Sequence, residues 1–109
     1  MSEYPRSLQE RLVAWEDLRQ ELAVCLQVET QAEQELYAAE QEIWRERDKA
    51  AAESEDDDAV EKFAAWLPSG RRRVTVAQTA LDRANAETVR LRAALCYAAQ
   101  VLDTASRLN

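Results

Sequence analysis

The amino-acid sequence predicts an all-α protein: an antiparallel coiled-coil helical hairpin with unequal arms. The 109 residues are rich in Ala, Glu, Leu, Arg and Gln, which favour helix, and only one Gly and two Pro interrupt them. Two stretches repeat apolar residues in alternating steps of four and three, as coiled coils do. Residues 1–67 carry a net charge of −11 and residues 68–109 a net charge of +4, so the second part is expected to fold back on the first.

The first helix is expected over about residues 8–52. Ser7 followed by Glu10 forms a capping-box pattern at its start. Its apolar seam occupies two heptad positions, with Leu8, Trp15, Leu22, Leu36 and Ile43 at one and Leu18, Cys25, Ala32 and Ala39 at the other. Because the alternation lasts for about five heptads, it indicates a coiled-coil helix rather than an isolated amphipathic turn.

An acidic run at residues 53–58 leaves two alternatives for residues 59–67. Carboxylates three and four residues apart repel each other within a helix, and Asp58 with Glu61 resembles a new helix N-terminus. The heptad phase nevertheless continues through Val60 and Leu67, which favours a helix that continues, straight or kinked, through residues 59–67. The other alternative is a break near 53–58 and a short extra helix over 59–67.

The turn of the hairpin is predicted at residues 68–73. Pro68 cannot continue a helix in the ordinary way, and Gly70 supplies a flexible position. Ser69 could cap the second helix, but Thr75 with Gln78 forms a better capping-box pattern, and the helix is expected over about residues 74–108. Its seam has Val74, Leu81, Thr88, Leu95 and Leu102 at one heptad position and Ala77, Ala84, Leu91, Ala98 and Ala105 at the other. Residues 1–109 are then expected to form a single helical domain.

With unequal arms, residues 8–28 have no partner within the chain, and their apolar stripe becomes a candidate protein-binding site. Its candidate residues are Leu8, Leu12, Trp15, Leu18, Leu22 and Leu26. Trp44 and Trp66 lie off the seam, where they either widen the core or anchor a partner. Arg71, Arg72 and Arg73 form a basic tip, which either aids solubility or pairs with the acidic run, or else docks on an acidic partner surface or a phosphate backbone.

The composition predicts no catalytic, cofactor or metal site. The chain has no His, which excludes the Ser-His-Asp and Cys-His arrangements, and its single Gly excludes the Gly-rich phosphate loops. Cys25 and Cys96 are too few for a structural zinc site, and Cys25 is expected to be buried in the seam. The chain is therefore not expected to be an enzyme.

The expected partners are proteins. A net charge of −7 makes nucleic acid and anionic membranes unfavourable partners, and no apolar stretch reaches the roughly 18 residues of a membrane span. Residues 1–10 contain no apolar core typical of a secretory signal, so the expected location is the cytoplasm. Arginine outnumbers lysine twelve to two, which suggests a bacterial or phage genome of high GC content.

The function predicted from these features is a coiled-coil adaptor, chaperone or assembly subunit that works as a homodimer or within a helical hetero-complex. The alternative is a phage-encoded acidic inhibitor that blocks a basic nucleic-acid-binding surface on its target. The architecture is similar to that of the stalk proteins of type III secretion and flagellar export, and to that of small WxG-type secreted hairpins. Residues 66–70 read Trp-Leu-Pro-Ser-Gly, not the Trp-x-Gly of the latter.

Overall fold

The computed structural model describes residues 7–53 and 55–108, and it confirms the all-α helical hairpin. Helix α1 spans Leu8–Ala52 and helix α2 spans Asp57–Leu108, with 45 and 52 residues respectively. Among the described residues, neither helix combines the length and the apolarity that a membrane crossing requires.

Helix α1 begins where the capping box predicts. The backbone N–H of Glu10 donates to Ser7 Oγ at 3.1 Å, and Ser7 Oγ in turn donates to Glu10 Oε1 at 3.2 Å. The N–H of Arg11 donates to the carbonyl of Ser7 at 3.1 Å, which is the first hydrogen bond of the helix. These contacts satisfy donors that every helix start leaves without an intrahelical partner.

The turn lies between α1 and α2 around residues 53–56, so the predictions of a turn at 68–73 and of a helix continuing from 52 through 59–67 are wrong. The alternative of a break near 53–58 is confirmed, but its short extra helix is wrong, because residues 59–67 belong to α2, and the two arms are of similar length. Asp56 caps α2: its carboxylate accepts the N–H of Asp58 at 3.0 Å, and its carbonyl accepts the N–H of Ala59 at 3.1 Å. Asp57 and Asp58 occupy the first turn, where the helix dipole favours negative charge. Asp56, Asp57 and Asp58 are therefore well placed at a helix start.

Helix α2 continues without a break through Pro68 and Gly70. Gly70 is buried and has an ordinary helical backbone. A Cβ at this position would lie 2.6 Å from Cη2 and 2.9 Å from Cζ3 of Trp66, so the absent side chain is what lets the indole ring lie against the helix. The glycine thus provides space for an aromatic ring, not the freedom to turn.

The predicted capping box at Thr75 is wrong for the same reason, since Thr75 lies inside α2. Its hydroxyl donates to the carbonyl of Arg71 at 3.1 Å, one turn earlier, and the hydroxyl of Thr79 donates to the carbonyl of Thr75 at 2.9 Å. Gln78 Nε2 donates to Asp82 Oδ1 at 3.0 Å along the same helix. Hydroxyls that bond back to the preceding turn are typical of Thr within a helix.

The chain forms two compact units, and each contains part of both helices. Unit 1 joins the residues up to Val28 to those from Ala84 onward, and unit 2 comprises Glu29–Arg83. The prediction that residues 8–28 have no partner within the chain is therefore wrong. They pack with the last part of α2 because the true turn lies well before Pro68.

The core of each unit is thin and built largely from small side chains. Its buried members in unit 1 are Cys25, Ala84, Thr88 and Leu91, and those in unit 2 are Ala32, Ala39, Gly70 and Ala77. Cys25 Sγ and Thr88 Oγ1 share a hydrogen bond of 3.3 Å, and Cys25 Sγ also donates to the carbonyl of Ala84 at 3.7 Å. Cys25 is buried as predicted. Small residues at these positions let the two backbones approach each other closely.

Candidate interaction surfaces

Large apolar side chains remain exposed on both units, but more of them belong to unit 1. Seven of the eleven found among the described residues lie in unit 1, namely Leu8, Leu12, Val13, Val24, Val28, Val89 and Tyr97. The other four, Tyr37, Trp44, Val60 and Val76, lie in unit 2. Since exposed apolar side chains that share one face mark contact sites, their arrangement on each unit decides what they mean.

Five apolar residues of unit 1 share one side of α1, and we call them the leucine flank. They are Leu8, Leu12, Trp15, Leu22 and Leu26. Steps of four, three, seven and four residues bring them to the same side of a helix. Leu8 is 41% exposed and Leu12 is 43% exposed, whereas the other three are half-buried. The guanidinium of Arg19 lies 4.8 Å from the ring centre of Trp15 and covers part of it.

The open end of the leucine flank faces a groove. Leu8 and Leu12 line it from α1, and Leu102, Asp103 and Ser106 line it from α2. Its volume is about 410 Å³. Helix α2 therefore covers the core side of these leucines and leaves their outer side accessible. The remaining predicted residue, Leu18, is half-buried and shares the heptad position of the buried Cys25, so it belongs to the core more than to the flank.

The width of the apolar stripe on α1 differs between the units. The heptad position beside the core holds Leu12, Arg19 and Leu26 in unit 1, whereas Glu33 and Glu40 hold it in unit 2, where they follow the buried Ala32 and Ala39. An apolar stripe confined to the two seam positions of each heptad is typical of a helix that packs against one other helix. A wider stripe is typical of a helix that packs against more than one neighbour. Unit 2 therefore has the stripe of a two-helix coiled coil, and unit 1 has a wider apolar stripe that only Arg19 interrupts.

The formal charge is distributed just as unevenly. Unit 1 contains 7 acidic and 6 basic residues, which gives a net charge of −1. Unit 2 contains 14 acidic and 8 basic residues, which gives a net charge of −6. Unit 1 is thus almost neutral, whereas unit 2 carries −6 of the chain's net charge of −7.

The two tryptophans outside the seam have different surroundings. Trp66 is half-buried, lies over Gly70, and has its ring centre 6.2 Å from that of Phe63. It widens the core of unit 2. Trp44 is 50% exposed, with the Arg47 guanidinium 4.5 Å from its ring centre, and Tyr37 on the same side of α1 is 64% exposed. Trp44 and Tyr37 therefore do not widen the core.

The three consecutive arginines do not form a tip. They lie within α2, where successive residues point about 100° apart around the helix, so they do not form a cluster on one face. Arg73 pairs with Glu42 of α1 at 2.5 Å, whereas Arg71 and Arg72 are exposed. The predicted basic tip is therefore wrong. The ion pair joins the two helices within unit 2, and exposed pairs of this kind contribute about 0–1 kcal/mol.

A second groove, of about 330 Å³, lies beside the turn in unit 2. Carboxylates and both lysines of the chain line it above the rings of Phe63 and Trp66. Lys62 pairs with Asp58 at 3.1 Å, and this carboxylate raises the pKa of the lysine. Among the described residues, no group of three or more His, Cys, Asp or Glu side chains has a geometry that could hold a metal ion.

Of the predicted site residues, the structure thus places five together on the leucine flank and separates the others from it. The exposed Val89 and Tyr97 of α2 were not predicted as part of a contact surface; their positions outside the heptad seam are the signal that could have identified them. Searches against protein-family models, curated proteins and solved structures find no match to this chain.

Proposed function

We propose that this chain is a non-enzymatic protein-interaction module, of the adaptor or assembly-subunit class, that self-associates through the leucine flank of unit 1. Two hairpins that pack flank to flank would form a local four-helix bundle. The observation that carries this proposal is the wide apolar stripe of α1 in unit 1, half-exposed at Leu8 and Leu12. Both cysteines are free thiols, which is compatible with a reducing, cytoplasmic setting.

The low net charge of unit 1 favours a second copy of the chain as the partner of the leucine flank. Because unit 1 has a net charge of only −1, two copies of it repel each other weakly. An interface built from unit 2 would instead bring together two surfaces of −6 each. A two-fold contact also lets every leucine of one flank meet the same flank of the other copy, as in most homodimers.

A stable dimer requires burial of apolar side chains along the whole leucine flank. Complete burial of a leucine side chain contributes about 1.5–3 kcal/mol. Leu8 and Leu12 are already more than half covered, so each would add on the order of 1 kcal/mol when a second copy covers it. Association itself costs about 4–15 kcal/mol. Contributions from all five flank residues of both copies are therefore needed for a stable dimer.

The test is the mass in solution, measured by light scattering on a sizing column. The full chain is expected to have twice its 12.4 kDa chain mass. The double variant Leu8→Glu, Leu12→Glu is expected to be a helical monomer. Glutamates in the first turns of a helix are compatible with its dipole, so the change removes the contact without unfolding α1.

The matched control is Gln9→Glu, Gln20→Glu, which adds two charges to exposed positions of α1 outside the flank. This variant is expected to stay dimeric. A monomeric full chain at micromolar concentration, or a dimer that survives both leucine substitutions, would show that a second copy does not cover the flank.

A second candidate function, the acidic inhibitor of a basic nucleic-acid-binding surface, is favoured by the net charge of −6 on unit 2. Such an inhibitor displaces nucleic acid from its target in a competition gel, and the displacement weakens steeply as salt rises. A displacement insensitive to salt, or none with any basic nucleic-acid-binding protein from the source cell, contradicts this candidate.

A further inference from the structure

We infer that unit 2 has a separate binding surface, formed by Tyr37 and Trp44 on α1, that takes a basic amphipathic helix of a partner protein. This surface does not depend on self-association through the leucine flank. We call Tyr37, Trp44 and the carboxylates beside them the aromatic face.

The position of the two rings excludes an intramolecular role in the hairpin. Tyr37 and Trp44 are seven residues apart, so they lie on the same side of α1, about 10 Å apart along its axis. The buried Ala32 and Ala39 face α2, and Tyr37 is displaced from Ala39 by about 200° around the helix. The rings are therefore on the side of α1 that faces away from the core, where α2 does not cover them.

Exposure of these particular residues points to a protein partner. Tyr37 is 64% exposed and Trp44 is 50% exposed on a helix whose other outward residues are mostly polar. Tyr and Trp are the residues that most often anchor protein interfaces, because they bury a large area at a small entropic cost. Two anchors seven residues apart match the spacing of a second helix laid along α1.

The surrounding charges select a basic occupant. Glu33 is one turn before Tyr37, Glu40 lies between the two rings, and Asp48 is one turn after Trp44; these three carboxylates outnumber the Arg47 cation that lies over Trp44. Together with the net charge of −6 on unit 2, these carboxylates repel a second copy of the same face, nucleic acid and anionic lipid. They favour a segment in which lysines or arginines flank apolar side chains.

The ring of Trp44 already shows the contact that such a segment would make. The guanidinium of Arg47 lies 4.5 Å from the centre of this ring, within the range of cation–π attraction. A cation from a partner takes the place of Arg47 over this ring, with Glu40 and Asp48 one turn away on either side. The aromatic face therefore combines two apolar anchors with electrostatic attraction for the same ligand.

The experiment uses the full chain and a dye-labelled helical peptide of about 18 residues, with leucine on one face and lysine on the other, followed by fluorescence anisotropy. Binding is expected to weaken at least tenfold in Trp44→Ala and severalfold in Tyr37→Ala and in Glu40→Gln. The matched control is Glu61→Gln, which removes one charge from an exposed position of unit 2 on α2 and is expected to bind within twofold of the native chain.

Three results would overturn the inference. Native affinity in both Trp44→Ala and Tyr37→Ala would remove the aromatic anchors from the interaction. An equal loss in Glu40→Gln and Glu61→Gln would mean attraction by overall charge alone. A change of mass in light scattering for Trp44→Ala would mean that a second copy covers the face, and this readout separates the inference from the self-association of unit 1.

Discussion

Unit 1 and unit 2 are made from the same two helices but differ in the residues that remain exposed beside their cores. In unit 1 the apolar stripe of α1 extends past the core to Leu12 and Leu26, and the net charge is close to zero. In unit 2 the equivalent positions carry Glu33 and Glu40, and the net charge is −6. The same heptad spacing therefore supports two kinds of surface, which differ in whether leucines or glutamates lie beside the core.

The comparison also separates two uses of aromatic residues. Trp15 lies at the edge of the unit 1 core and Trp66 widens the unit 2 core over Gly70. Trp44 is on neither core. A tryptophan count alone does not reveal a binding surface, whereas the combination of exposure and helical position does.

The largest effect is expected from giving unit 2 the wide stripe of unit 1. Glu33→Leu with Glu40→Leu should drive further association, because each leucine contributes about 1.5–3 kcal/mol when a neighbour fully covers it. Sedimentation velocity measures the change. The control Glu33→Ala with Glu40→Ala removes the same charges without adding large apolar groups. Equal sedimentation of the two variants would show that the stripe width does not decide association.

The second effect concerns the core of unit 1. Leu91 is only 2% exposed, so Leu91→Ala is expected to lower the free energy of unfolding by about 3 kcal/mol, from lost burial and the cavity left behind. Leu81 in unit 2 is half-buried, and Leu81→Ala is expected to cost roughly half as much. Urea denaturation followed by circular dichroism measures both. A larger loss at Leu81 would place the principal core in unit 2.

The third effect tests the role of Gly70 in unit 2. Gly70→Ala in an ordinary helix stabilises by about 1 kcal/mol, but here the new Cβ must displace the Trp66 ring, at a cost of roughly 1–3 kcal/mol. The substitution is expected to lower the melting temperature of the native chain and to raise that of a Trp66→Ala variant. The same sign of change in both backgrounds would mean that the ring does not lie on Gly70.

The smallest effect is electrostatic and lies on the surface of unit 1. The hydrogen-bonding Arg90 guanidinium holds the pKa of the Glu87 carboxyl below its ordinary value. The stabilisation from this pair is therefore present above the pKa of the unfolded carboxyl and is lost as the pH falls through the lower, folded pKa. Carboxyl NMR titration should show the Glu87 pKa rising in Arg90→Gln and unchanged in Arg92→Gln. An unchanged value in both variants would remove Arg90 as the cause.

The sequence predicts α1 and the hairpin well because their signals are local. The capping box at Ser7 fixes the start of α1, and the seam through Cys25 and Ala39 identifies its buried side. The residues of the leucine flank are also visible in the sequence as an apolar stripe, although they do have a partner in α2. Helix α2 covers these side chains only in part, and the position of the turn determines which part of α2 lies against them.

The positions of Pro and Gly alone could not place the turn. Pro68 and Gly70 are the usual signals of a break, but Gly70 is in phase with Ala77 and Ala84, as the small-residue position of the α2 seam. That phase is the signal that α2 continues through them. The acidic run repels itself inside a helix, yet Asp56 as the cap and Asp57 in the first turn convert the same charges into a favourable helix start.

The position of the turn has a consequence for the order of folding. Unit 2 surrounds the turn, so its two helical segments need only a short loop to close before they meet. Unit 1 must bring together residues far apart along the chain, such as Cys25 and Thr88, which are 63 positions apart. Closing a long loop costs more conformational entropy and is therefore slower. We expect the two helices to pair first beside the turn and then progressively outward, so that residues 8–28 stay exposed until residues 84–108 pack against them. The leucine flank is then the last part of the chain to acquire its neighbours, and the part that a protease or a helper protein meets first.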